Sequence, residues 1–158
     1  ENLLGSLGVH STTRGLHPRI NLRAIVKHVG GPMAGLVCEY YRKAGVKCRP
    51  HEKARTTELA HILNNVAYGV NLMLADEMQA LCRAYGVDYF DSVMLYTMTN
   101  NEGFVGMGHP TKVRPILTPP NGQVGGHCVV QSANLLELTD PLKTPMIKLL
   151  ASYNSKKC

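Results

Sequence analysis

The chain has 158 residues, 44% hydrophobic and 18% charged, enough to bury a core without the support of disulfides or metals. Its net charge of +6 suits small anionic ligands such as nucleotides, but the basic residues are scattered and no basic block carries interleaved aromatics, which argues against a nucleic-acid surface. No apolar run approaches the ~20 residues of a membrane span, and no signal peptide is visible. Cys38, Cys48, Cys82, Cys128 and Cys158 include no CxxC pair, and an odd, irregular set predicts reduced thiols in a cytoplasmic protein. The chain begins at Glu1 without a Met, which predicts a segment of a longer protein.

In chain order, LGVHST (7–12) predicts a strand ending in a polar loop, and STTRGLHPR (11–19) an irregular connection. AIVKHVGG (24–31) reads as a second strand, rich in β-branched residues and closed by Gly-Gly. From Pro32, apolar residues at Met33, Leu36, Val37, Tyr40 and Tyr41 follow a helical spacing that Gly45 closes. VKC (46–48) is a brief strand. This is an α/β pattern too short for a complete doubly wound sheet, and neither GxGxxG nor a Walker A sequence is present.

The main element is a predicted helix over 56–86. Thr56 or Thr57 caps it, Glu58 sits in its first turn, and Gly86 ends it. Some 28 residues at 1.5 Å each give a rod of roughly 40 Å. Gly69 lies mid-helix, at a cost near 1 kcal/mol relative to Ala. Asp88 caps a further helix over 89–99, and residues 100–127 read as a long irregular, Gly/Pro-rich segment of the kind that carries function. Helices over 131–138 and 142–153 follow, and the tail NSKKC reads as frayed or truncated. The fold class expected is mainly α with a small α/β part: the end of a Rossmann-like domain, then an all-helical dimerisation domain built on one long helix.

NGQVGGHCVVQ (121–131) holds the sharpest chemical signal. Cys128 follows two glycines, and two readings stay open. A small apolar thiol can be buried there for packing, or the chain is cleared so that a substrate reaches a nucleophile able to carry an acyl group as a thioester. In extended chain His127 would point away from Cys128 and make a poor base. His61 and Asn65 lie four apart, on one face of the long helix, with Leu72 continuing the stripe. That pair reads either as the polar end of a packing face or as part of a site. The seven histidines form neither HxxxH nor HExxH, so a zinc site has no motif behind it.

Several stretches together resemble one family. ELAHILNNVAYGVNLMLADEMQALCRAYGVD (58–88) is similar to the central helix of the nucleotide-sugar dehydrogenases, which begins E-x-x-K-x-x-x-N. These are the UDP-glucose, UDP-N-acetylmannosamine and GDP-mannose 6-dehydrogenases. GQVGGHCVV (122–130) resembles their G-x-GGHC loop, and HSTTRGLHPRI…VKHVGG (10–31) a segment late in their NAD domain. DPLKTPMIKLLASYN (140–154) is similar to the helix that leads into their third domain.

The resemblance implies oxidation of a sugar C6 alcohol to a carboxylate, with two hydrides passed to NAD. It places Cys128 as the nucleophile, Asn65 as the holder of an oxyanion or water, and His61 where the family has its lysine. It places Gly125, Gly126, His127 and Arg14 at the substrate, and Ser11 and Thr12 at the cofactor. Ser132 stands where the family commonly has aspartate, and Thr13 where its commoner sequence has glutamate. It also implies a domain boundary near residue 50, with 1–50 the end of the NAD domain and 51–158 the central helical domain. A homodimer through helix 57–85 follows from the same likeness. Lacking the glycine-rich NAD motif, the segment alone is expected to be inactive. The alternative is a helical dimerisation module that keeps this fold without its catalysis.

Overall fold

The computed structural model describes residues 8–12, 24–139 and 141–153. The chain divides into two compact units, Glu1–Asn64 and Asn65–Cys158, with the boundary inside the long helix.

In the first unit, β1 (Lys27–Gly30), α1 (Ala34–Lys43) and β2 (Cys48–His51) form a βαβ unit. The strands pair in parallel from Lys27↔Cys48 to Gly30↔His51. Both are shorter than or displaced from the predicted 24–31 and 46–48, because pairing starts only where the Lys27 N–H donates to the Lys47 carbonyl. α1 matches its apolar stripe. It ends as Gly45 and Val46 donate backbone N–H groups to Arg42 and Tyr41, a C-cap of the Schellman type. Val29, Ala34 and Cys38 are buried, and Val9, Val37, Tyr41 and Cys48 pack on them. His10 extends the sheet by an antiparallel bridge to Gly30.

The expectation of reduced thiols fails here: Cys38 and Cys48 form a disulfide, with Cα atoms 5.2 Å apart. Their spacing along the chain carried no such signal. The parallel crossover creates the proximity, by laying the buried face of α1 against the first residue of β2.

The long helix α2 runs from Ala54 to Ala84 over 31 residues, starting two residues earlier than predicted. In the second unit Gly69 has a packing reason. A Cβ there would stand 2.5 Å from Val129 Cγ1 and 2.9 Å from Leu150 Cδ2. Gly69→Ala therefore sets a helix-propensity gain of up to ~1 kcal/mol against overpacking of about 1–3 kcal/mol. A branched valine has no room to swing aside, so net destabilisation is expected. A fall in the urea midpoint at unchanged slope would show it.

After α2 the chain enters a helix in which Phe90–Leu95 form a π-helical stretch and Tyr96–Gly106 form α3. Asp88 Oδ1 accepts the Asp91 N–H at 3.1 Å, the capping role expected of it. The helix continues to Gly106, past the predicted end at 99. Asn101 binds the returning chain from both sides of its amide, donating to the Arg114 carbonyl and accepting from the Arg114 N–H, each at 2.8 Å. A single 3₁₀ turn, Pro110–Lys112, interrupts the segment that follows.

α4 (His127–Thr139) and α5 (Pro145–Tyr153) complete the unit. α5 starts at Pro145, where a missing N–H costs the helix nothing. Tyr153 donates to Asp76 Oδ2 at 2.8 Å. Burial, that hydrogen bond and the charges of Asp76 and Glu77 push its phenol up to about 12. The folded chain thus keeps this proton above pH 10, where the unfolded chain releases it. The contribution is whole below pH ~10 and is lost as pH rises toward about 12. Tyr153→Phe should flatten the alkaline fall in stability, read as melting temperature against pH. An unchanged slope would contradict it.

The architecture is mainly α with a small α/β part, as the sequence predicts, with five α-helices and one two-stranded parallel sheet among the described residues. No helix among them is long and apolar enough to cross a membrane.

Candidate active site

Cys128 lies in the first turn of α4, which starts four residues earlier than the predicted 131. The Gly126 carbonyl accepts from both Val129 and Val130 and starts the helix there. Two buried valines hold this entry. Val124 is fully buried and fixes the preceding loop, and Val129 packs inward beside Gly69. Between them Gly125 takes φ +77°, and a Cβ on it would stand 2.6 Å from Val129 Cγ1. The first glycine thus makes room for Val129, while Gly126 faces open space. Anchored on each side, the turn presents His127 and Cys128 outward.

The Cys128 thiol is free and exposed, which removes the buried packing role left open by the sequence. The second free thiol among the described residues, Cys82, is buried and lies 3.4 Å from Ser92 Oγ. His127 is helical rather than extended, and its Nε2 lies 2.7 Å from Gln131 Nε2, one turn along α4.

Ser132 follows Cys128 by one turn on the same face of α4 and is buried. It accepts a hydrogen bond from Asn65 Nδ2 at 3.1 Å. The Asn65 amide is therefore tied to the helix that carries the thiol. Burial raises the Tyr89 phenol in the same unit, with the nearby Cys82 adding to the shift, and Tyr89 donates to the Leu117 carbonyl at 3.2 Å.

His61 belongs to the first unit. It lines a cavity of about 320 Å³ together with Thr12, His28, His51, Thr56, Thr57, Ala60 and Asn64. Ser11 lies next to this wall, its Oγ buried and without a hydrogen-bond partner among the described residues. His10 Nδ1 sits 2.8 Å from Thr57 Oγ1, which joins the 8–12 segment to the start of α2. Lys27 is 4% exposed and donates to the Thr12 carbonyl at 2.8 Å, which fixes the backbone of that segment. Thr13 and Arg14 lie outside the described residues.

Two features here went unread in the sequence. One is the bond from Asn65 to Ser132. The other is the pair of histidines, His28 and His51, facing the cavity beside His61. Strand alternation carried a signal for the second: His28 and His51 share a face of a parallel pair, near the carboxyl ends where open α/β sheets bind ligands.

No protein-family model and no curated protein matches the chain. Among solved structures it is similar to the UDP-D-ManNAc dehydrogenase of Pyrococcus horikoshii, with 27% identity and a TM-score of 0.72. The match covers 94% of this chain and 34% of that one, so the chain spans about a third of that dehydrogenase's length. The resemblance to the nucleotide-sugar dehydrogenases holds at the level of the fold, across nearly the whole chain.

Proposed function

We propose that this chain, similar over most of its length to a part of a UDP-sugar dehydrogenase, is the central part of an NAD-dependent nucleotide-sugar 6-dehydrogenase. The observation that carries the reading is the exposed thiol of Cys128, one turn from the Ser132 that binds Asn65, within a chain of that fold. In this reading residues 1–50 are the end of an NAD domain and 51–158 the central domain. A cytoplasmic setting belongs to the same reading.

Cys128 attacks the C6 aldehyde. Its sulfur forms a bond to carbon while the carbonyl electrons move to oxygen, giving a thiohemiacetal. Loss of hydride and a proton leaves a thioester, which water cleaves to the carboxylate and the free thiol. NAD, when bound, would supply the oxidising power for both oxidations. Asn65, oriented by Ser132, donates to the oxyanion. His61 donates at the lysine's position, carrying full charge only when protonated. Ser11 and Thr12 hold the cofactor edge. The Ser11 hydroxyl, buried and without a hydrogen-bond partner among the described residues, suits a polar ligand that would satisfy it. Gly125, Gly126, His127 and Arg14 flank the substrate.

The reading includes a homodimer. Leu59, Leu63, Leu74, Leu81 and Tyr85 are exposed and fall on one side of α2 at 100° per residue. That stripe also supports a second reading, a dimerisation module without catalysis. The two part on stoichiometry. The full-length protein, supplied with NAD and a panel of UDP- and GDP-sugars, should yield two NADH per sugar carboxylate. One NADH per sugar, or none with any sugar, would contradict the dehydrogenase reading.

A further inference from the structure

We propose that the Cys38–Cys48 disulfide is a redox-sensitive staple, opened by an anionic thiol of the glutathione class, whose reduction releases β2 from α1 and loosens one wall of the cavity in the first unit. The device lies wholly within that unit. Only the cytoplasmic setting comes from the proposed function, and in such a setting a disulfide is usually transient rather than a permanent crosslink.

Little else holds β2. It is four residues long and pairs only with β1 among the described residues. Pro50, its third residue, has no N–H to contribute. Backbone bonds from the Lys27 N–H to the Lys47 carbonyl at 2.8 Å and from the Gly31 N–H to the His51 carbonyl at 3.0 Å mark the two ends of the pairing. Arg42 adds one exposed bond, from Nη2 to the Cys48 carbonyl at 3.1 Å. The disulfide fastens the first residue of the strand to the buried face of α1, and His51 at the other end lines the cavity with Thr12, Thr56 and Thr57.

Opening the bond needs room. Two sulfurs that no longer share a bond must stand at van der Waals distance, roughly 1.5 Å or more further apart. Cys38 is 0% exposed and packed with Val29 and Ala34, so a close-packed interior leaves it nowhere to go. Cys48 is half-buried at the start of its strand. The displacement therefore falls on β2, and pairing opens from Lys27↔Cys48 toward Gly30↔His51.

The surroundings select the reductant. Residues 42–49, RKAGVKCR, carry four cations and no carboxylate, and Arg42, Lys47 and Arg49 are exposed around Cys48. That charge draws in an anionic thiol and favours its thiolate form. A glutathione thiolate attacks Cys48 Sγ, the S–S bond breaks, and Cys38 leaves as a thiolate. A second glutathione thiolate attacks the glutathione sulfur of the mixed disulfide, freeing Cys48 and leaving glutathione disulfide. Each protein thiolate takes up a proton that a glutathione thiol gave up. Two glutathiones are oxidised by one electron each as the protein disulfide is reduced by two. The reverse, with glutathione disulfide as oxidant, closes the staple.

The test uses this chain with glutathione as the probe. After equilibration in a cytosol-like excess of reduced over oxidised glutathione, alkylation and peptide mapping should find label on Cys38 and Cys48. Transfer to glutathione disulfide should remove both sites from labelling. In the reduced chain the peptide covering β2 should exchange its amide hydrogens at least roughly 10-fold faster than in the oxidised chain, while α4 and α5 keep their rates. A bond that survives the excess of reduced glutathione is a permanent crosslink and overturns the proposal. Unchanged exchange at β2 after reduction overturns it too, as does faster exchange throughout the chain, which would make the loss of the bond a global unfolding. Cys48→Ser, placed at the half-buried end, should exchange at β2 like the reduced chain in either buffer; protection equal to that of the oxidised chain would contradict the staple.

Discussion

Cys128→Ser in the full-length protein should lower carboxylate formation by at least roughly 10³-fold while leaving the fold intact. A serine hydroxyl is about the thiol's size, but it is far less ionised near neutral pH and forms no thioester. The aldehyde would then lose its covalent route to the second oxidation. Little stability should be lost, because the side chain is exposed and its backbone is held by neighbours. Val124, Val129 and the Gly126 carbonyl fix the turn whatever stands at 128. A surface exchange of this kind lies within about 0.5 kcal/mol. Loss of carboxylate together with a lowered melting temperature would point to a folding defect instead. Unchanged turnover would remove Cys128 from the chemistry.

The second large effect is a separation of thiol reactivities. In the native chain at neutral pH, Cys128 should react with a small aromatic disulfide reagent at least roughly 100-fold faster than Cys82. Cys128 is exposed, whereas Cys82 is 8% exposed and sits beside Ser92, so its modification waits on local opening. Cys38 and Cys48 should not react until a reductant opens their bond. Peptide mapping after timed labelling gives the order. Equal rates at Cys82 and Cys128 would contradict the exposed turn, and immediate labelling of Cys38 would contradict the disulfide.

Much of this was legible in the residues. The α2 rod announced itself by length and apolar content, and α1 by its i, i+3, i+4 stripe, because each buries one face of a regular element. Boundaries drifted where distant partners decide them. Asn101 holds the helix past its predicted end through Arg114, thirteen residues on. α4 reaches back to His127 because a buried Val129 needs the space beside Gly69. Composition argued for reduced cysteines, and the crossover geometry joined two of them.

The candidate site divides the same way. GGHC drew attention to Cys128 in the sequence but left both a buried packing thiol and an accessible nucleophile open, and the exposure of the thiol decides between them. The partner of Asn65 could not, because Ser132 lies 67 residues away and only the packing of α4 on α2 brings it within 3.1 Å. His28 fell in a predicted strand, but His51 lay beyond the predicted end of the other at Cys48, so alternation alone hinted at a shared face and the parallel register was needed to bring the two together.

The account turns on a covalent bond between sugar and sulfur. Full-length protein mixed with NAD and its nucleotide sugar, quenched in acid during turnover and digested, should yield the Cys128 peptide carrying the added mass of the sugar acyl group. Carboxylate accumulating with two NADH per sugar while that peptide stays unmodified at every quench time, under conditions where a synthetic thioester survives, would contradict it.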